Sequence, residues 1–332
     1  MTRNLPLISA GALGPILDWM ETNDARSAER LAAWDLSWIA GHPLDRPVPL
    51  LPAVSLFVEL VRAHGPDLPC RMALARGIFQ LGPLGARALA AGTVGGAVRA
   101  IATAMPRHCT NEMITLQITE GGFVIRDLWS LAFDDAETAH AIQQYVAALF
   151  VSLFRLGCGE TRPARISLRP HPVDGLDHIL PWFGDSALRA TQDTLVLSVP
   201  SVLARSPLDL THHPTEPPHA TDWPRLRTDG TLTESVRHLV RSMLGFDTPT
   251  VDRVAGYAGM SCRSLQRRLL DEGTSFSAIL DAARRDLAVE RAGHADDALA
   301  TLSSDLGYAG QASLSRAFRR WTGAPPSRFG RS

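Results

Sequence analysis

Lysine is absent from this 332-residue chain, so all 33 cationic side chains are arginine. That reads as a bias of composition rather than a device of mechanism. Cysteine is scarce: Cys70, Cys109, Cys158 and Cys262 lie far apart and match no metal-ligand or redox spacing. They are expected to be buried thiols of a reducing compartment. No apolar run is long enough for a membrane. The longest, YVAALFVSLF from Tyr145, is about half of a span and suits a core helix. The opening MTRNLPLISAGALGPILDW lacks the apolar centre of a signal peptide, so a cytoplasmic, nucleoid-associated protein without a membrane partner is expected. Neither sign of charge dominates, the sum being −1 at pH 7, so the chain as a whole is not built for a polyanion. Signatures of catalysis are missing too. There is no GxSxG, HExxH, P-loop or complete dinucleotide fingerprint, and no enzyme activity, catalytic residue, metal or cofactor is expected.

What is present is an ordinary globular composition, 45% apolar and 20% charged, at a length that suggests two domains. Residues 9–104 read as mostly helical. SAGALGPILDWMETN carries an apolar stripe through Leu13, Ile16, Leu17 and Met20, and AVSLFVELVRAHG repeats the pattern up to a C-cap at Gly65. MITLQITEGGFVIRDLWSL then predicts two strands joined at Glu120-Gly121-Gly122. A helix over about Glu137 to Leu156, a strand in ARISLRP, a helical piece ending near ILPWFG and a strand in DTLVLSV follow. Helices against a small sheet make a mixed α/β domain over residues 1–205. Residues 206–230, rich in Pro, Thr and His, read as a linker. Residues 231–332 read as all-helical, and from Gly230 onward 14 Arg face 11 Asp and Glu, a net +3 against −4 for the remainder.

Several polar clusters have two readings. His212, His213 and His219 in the linker have no fixed acidic or thiolate partner, which favours linker histidines over a metal site. PRHCT sets His108 beside Cys109, but chain neighbours rarely face each other, so a core or surface Cys outweighs a reactive thiolate. GTVGGAVRA is a Gly-containing helix start without phosphate-loop spacing. His171, Asp174 and His178 cluster in RPHPVDGLDHILPWFG. With Asp174 and His178 at i, i+4 if helical, a helix cap and surface His outweigh a ligand role.

The informative feature is a repeat. VAGYAGMSCRSLQRRLLDEGTSF and SSDLGYAGQASLSRAFRRWTGAPPSRF superpose Leu265 on Leu314, Arg267 on Arg316 and Leu269 on Phe318. In SCRSLQRRLL, Arg263, Gln266, Arg267 and Leu270 share one helical face, while Leu265 and Leu269 share another. Gly259 and Gly310 fall at or near the turns before the two polar helices. Each copy reads as a helix-turn-helix unit, over about 251–273 and 299–323. The second helix of such a unit enters the major groove and reads base edges from its N-terminal half. SFSAILDAARRDLAVERAG between them suits one rigid linker helix of about 17 residues, which would set the two reading helices in successive major grooves.

From about Leu232 to Arg331 the chain resembles the DNA-binding domain of the AraC/XylS family of transcription regulators, through MSCRSLQRRLLDEGTSF and above all LGYAGQASLSRAFRRWTGAPPSRF. The resemblance places base contacts at Arg263, Gln266 and Arg267 in the first unit and at Gln311, Ala312 and Arg316 in the second. Arg suits guanine O6/N7 and Gln adenine N6/N7; Ala312 departs from the polar residue often found there and is limited to a thymine methyl. Ser261, Arg268, Ser313, Ser315, Arg319 and Arg320 are the expected phosphate contacts. Leu265, Leu269, Leu314, Phe318 and Trp321 are expected in the core. ISAGALGPILDW, RPVPLLPAVSLF and LPWFGDSALRATQDTLVLSVPSVLARSPL resemble, more loosely, the arabinose-binding-type N-terminal effector domain of one branch of that family. This resemblance implies a regulator, more an activator than a repressor, with double-stranded DNA, RNA polymerase, an unidentified small-molecule effector and a second copy in a homodimer as partners. Two alternatives stand beside it: a ligand-independent regulator whose N-terminal domain only dimerises, and a DNA-repair alkyl acceptor, whose acceptor motifs are not found.

Overall fold

The computed structural model describes residues 4–133, 135–158, 165–190, 194–211, 223, 225–227, 230–292 and 299–326. Helices α1 to α9 span Gly14–Asn23, Ser27–Ala33, Leu50–His64, Leu68–Arg76, Pro83–Leu89, Val94–His108, Ala136–Cys158, Leu180–Phe183 and Ser201–Arg205. Helices α10 to α15 span Leu232–Met243, Val251–Tyr257, Cys262–Asp271, Phe276–Ala292, Leu299–Asp305 and Gln311–Thr322. The strands, all in the first 200 residues, are β1 Leu7–Ser9, β2 Pro47–Pro49, β3 Glu112–Thr119, β4 Gly122–Trp129, β5 Arg165–Leu168, β6 Ala187–Arg189 and β7 Leu195–Pro200. The fold is therefore a mixed α/β N-terminal part followed by an all-helical part.

β3 to β7 form one sheet in the order β3-β4-β7-β5-β6, antiparallel except for the β5–β6 pair. The β3–β4 hairpin closes with Thr119 opposite Gly122. Gly122 has φ 150°, and a Cβ there would lie 1.9 Å from the Val199 carbonyl oxygen, so the hairpin and its β7 neighbour both require glycine. Strand alternation then sorts the side chains by face. Phe123, Ile125 and Asp127 of β4 point into the core, as do Glu112 and Ile114 of β3. The long helix α7 packs against α3, α4, α6, β5 and β7, burying Ala147, Leu153 and Phe154 completely. Periodicity anticipated these long elements. It did not anticipate β1, β2 and β6, three-residue strands too short to show a period and held by distant partners, as in Ile8 against Val48.

The helical part is joined to the first part by direct contacts as well as by sequence. Asp35 accepts from Arg253 Nε and Nη2, both at 2.8 Å, and from the Tyr257 hydroxyl at 2.7 Å. Trp38 Nε1 lies 3.2 Å from the Tyr257 oxygen. Ser242 Oγ donates to the Pro47 carbonyl at 2.6 Å and meets His42 Nε2 at 2.9 Å. One continuous apolar core runs from Leu5 to Phe318. The histidines His212, His213 and His219 lie outside the described residues.

Candidate nucleic-acid interface

Local sequence devices start both helices of the first unit. Thr250 starts α11, its hydroxyl accepting from Arg253 N at 3.3 Å, and Ser261 starts α12 by accepting from Ser264 N at 3.2 Å. Between them Gly259 takes φ +62°, a conformation in which an L side chain is strained. In the second unit the left-handed residue is Gly307, at φ +68°. Gly310 is instead the extended N-cap of α15. The two turns are thus related but not superimposable.

Behind α12 and α15, Leu265, Leu269, Leu314 and Phe318 are completely buried. Their opposite faces are open: Arg263, Gln266 and Arg267 are exposed on α12, and Gln311, Ala312 and Arg316 on α15. Leu270, on the Arg263 side, is 72% exposed. The two helices therefore present guanidinium and amide groups along their N-terminal halves. α13, the 17-residue helix between the units, packs against both α10 and α15 and sets the spacing of the two faces.

The expected phosphate contacts have mixed surroundings. The Arg319 side chain is exposed and makes no ion pair or hydrogen bond among the described residues. Arg320 Nη2 donates to Asp281 Oδ1 of α13 at 2.9 Å, and Trp321 Nε1 donates to the other oxygen of that carboxylate at 3.0 Å. Arg320 thus helps to tie α15 to the strut. Arg268 is half-buried with Nη1 3.6 Å from Met260 Sδ. Arg316 Nη2 donates to Ser313 Oγ at 3.1 Å, while Ser315 is half-buried and Ser261 is occupied as a cap.

The His171–His178 cluster resolves differently from expectation. Asp174 does not start a helix reaching His178. The chain reverses at Gly175, φ +58°, so that Asp174 pairs with His171 at 2.9 Å. The helical turn begins only at Asp177. His178 turns inward, its Nε2 2.9 Å from Nε2 of the buried His140, a partner on α7 with no sequence signal. Among the described residues no group of three or more His, Cys, Asp or Glu side chains is placed to hold a metal ion. Cys109 is completely buried, and burial pushes its thiol far above the ordinary range; burial also pushes Cys70 up to about 12. Burial pushes His108 down to about 4, so the pair is a neutral imidazole and a thiol, not an ion pair.

Two family models match this chain, one described as the arabinose-binding domain of AraC transcription regulator, N-terminal, over residues 35–208, and one as a helix-turn-helix domain over residues 254–332. The HTH-type transcriptional regulator VirS of Mycobacterium tuberculosis is 26% identical over 284 residues, 82% of either chain. An uncharacterized HTH-type transcriptional regulator of Mycobacterium bovis is 43% identical over 96 residues, a match that spans 28% of each chain. The crystal structure of the transcriptional regulator CdpR from Pseudomonas aeruginosa aligns over 95% of this chain and 98% of that one, at 21% identity and a TM-score of 0.38. No helix among the described residues is long and apolar enough to cross a membrane.

Proposed function

We propose, from the premise that this chain belongs to the AraC family of transcription regulators, that it binds operator DNA through α12 and α15 under the control of a small-molecule effector held in its N-terminal part. The observation that carries the reading is the pair of open Arg- and Gln-bearing faces, each backed by buried leucine or phenylalanine and joined by one strut. A solvated surface has no reason to build this arrangement twice. Arg263, Gln266, Arg267, Gln311, Ala312 and Arg316 read bases, and Ser261, Arg268, Ser313, Ser315, Arg319 and Arg320 hold phosphates. Residues 1–205 sense and dimerise, 206–230 link, and 231–332 bind DNA and contact RNA polymerase as an activator in the cytoplasm.

An effector acts only if it binds two arrangements with different affinity. The contacts of Asp35, Trp38 and His42 with α10 and α11 supply a physical route by which such a difference would reach the first reading unit. They favour a coupled sensor over an N-terminal part that only dimerises. The test is selection of genomic fragments by the full chain, followed by affinity measurements on the selected duplex and a scrambled one over a series of salt concentrations. Sequence-preferring binding whose logarithm falls linearly with that of salt is expected. Equal affinity for both duplexes at all salt concentrations would refute operator recognition. A broad metabolite screen that left both melting and operator affinity unchanged would refute the sensor.

A further inference from the structure

Away from α12 and α15, an apolar pocket of about 110 Å³ lies between α1, α3, α6, α7 and the β3–β4 hairpin. Its wall is almost wholly aliphatic and aromatic; Ala53, Ile101, Ile142 and Leu149 are typical of it. Four polar side chains interrupt the wall or stand just behind it, and the fold places each for a stated reason. Glu112 opens β3 and Asp127 lies on β4, and strand alternation turns both to the core face. The Asp127 carboxylate accepts from Trp129 Nε1 on Oδ2 at 3.0 Å, while its Oδ1 has no donor. Beside it, burial and then the neighbouring acid both push the Glu112 carboxyl well up. His108, the last residue of α6, stands on the wall with a buried Nδ1 that has no partner. Tyr145 spends its hydroxyl on the Ala12 carbonyl at 3.1 Å.

We propose that this cavity is the effector site and takes a small apolar molecule, about one ring in size, that carries a single O–H or N–H donor. The inference rests on the sensor reading above and names its ligand class. Volume sets the upper bound at one ring, because this pocket, at about 110 Å³, is somewhat smaller than the apolar cavity of about 150 Å³ that takes benzene. Charge follows from the wall: no arginine or amide side chain lines it, so a carboxylate or phosphate would enter beside two acids with nothing to neutralise it. The donor follows from what is left unpaired, Asp127 Oδ1 beside Glu112 and the His108 Nδ1. A pentose is excluded despite the descriptive name of the matching family. Its several hydroxyls would each need partners, and leaving even one buried without them costs heavily.

An alcohol and an amine share the donor but differ in proton bookkeeping. An amine entering as the free base takes the Glu112 proton and pairs with the carboxylate that remains; an alcohol donates without any proton transfer. The experiment uses the full chain with benzyl alcohol, benzylamine, benzoate and L-arabinose, read by melting temperature and by the fluorescence of tryptophan, Trp129 being part of the wall. Benzyl alcohol or benzylamine is expected to raise the melting temperature and to bind at least about tenfold more tightly than benzoate or arabinose. Glu112→Gln should keep benzyl alcohol and lose benzylamine, which separates the two donors. Ala53→Phe, or the milder Ala53→Leu if the first does not fold, should fill the cavity and abolish both shifts. Binding of benzoate or arabinose as tightly as the alcohol, no binding of any probe, or an Ala53→Leu variant that still binds would each overturn the ligand class. The sensor reading survives any of these, because it falls only if the wider screen finds no effector at all.

Discussion

Replacing Arg267 by alanine separates reading from mere attraction. Arg267 is exposed on α12 and makes no ion pair or hydrogen bond among the described residues, so its loss costs the fold within about 0.5 kcal/mol. The effect on DNA is then a binding effect. A bidentate guanine contact is worth roughly 1–3 kcal/mol of discrimination, about 5- to 150-fold in operator affinity, with relaxed preference at one base pair. Arg316→Ala should act alike about one helical turn away, with the loss of its Ser313 bond adding little at so exposed a site. Arg320 is the control. Its pairing with Asp281 is between groups 65% and 47% exposed and contributes about 0–1 kcal/mol to stability. Arg320→Ala should weaken operator and scrambled duplexes together and flatten the salt slope by about one unit. The assay is titration of each variant on both duplexes at several salt concentrations. Equal losses on both duplexes for Arg267→Ala would make Arg267 a phosphate contact and remove α12 as a base-reading helix.

Three further outcomes are expected. Leu265→Ala empties a completely buried site behind α12 and should cost about 2–5 kcal/mol by denaturant titration, with a folded fraction that still prefers the operator; a loss below about 1 kcal/mol would show that α12 is not anchored there. Asp35→Ala removes two guanidinium bonds and a phenol bond across the two parts of the chain, while Asp35→Gly also relieves a φ of +56°. The alanine variant should melt below the glycine variant by the equivalent of about 1 kcal/mol, and equal melting would show that the backbone is unstrained. Burial pushes Asp127 up to about 7, so the native carboxyl keeps its proton where the unfolded one has lost it. Its contribution is complete below the ordinary carboxylate pKa and fades as pH rises through about 7. The stability of Asp127→Asn relative to the parent should accordingly rise from pH 5 to pH 8, and a constant difference in thermal melts would contradict the raised pKa.

Local chemistry made the two helix-turn-helix units legible. Leu265 and Leu269 recur at helical spacing and the second copy repeats the pattern, so the relevant physics operates within a few turns of helix. The same reasoning found the long helix α7 and the β3–β4 hairpin. It failed where a residue's partner lies far along the chain. β1 and β2 exist only because Ile8 meets Val48, and His178 faces inward because α7 brings His140 to it. Asp35 has no motif around it, yet it meets Arg253 from 218 residues away. The cavity is the extreme case. Ala53, Ile142 and Leu149 have the spacing of ordinary core residues, and an unfilled space differs from a filled one only in how several helices approach each other. Helix-turn-helix chemistry is written in consecutive residues because it depends on periodicity. Contacts between the two parts of the chain, a buried acid pair and a cavity depend on distances between elements, and only the assembled fold sets those.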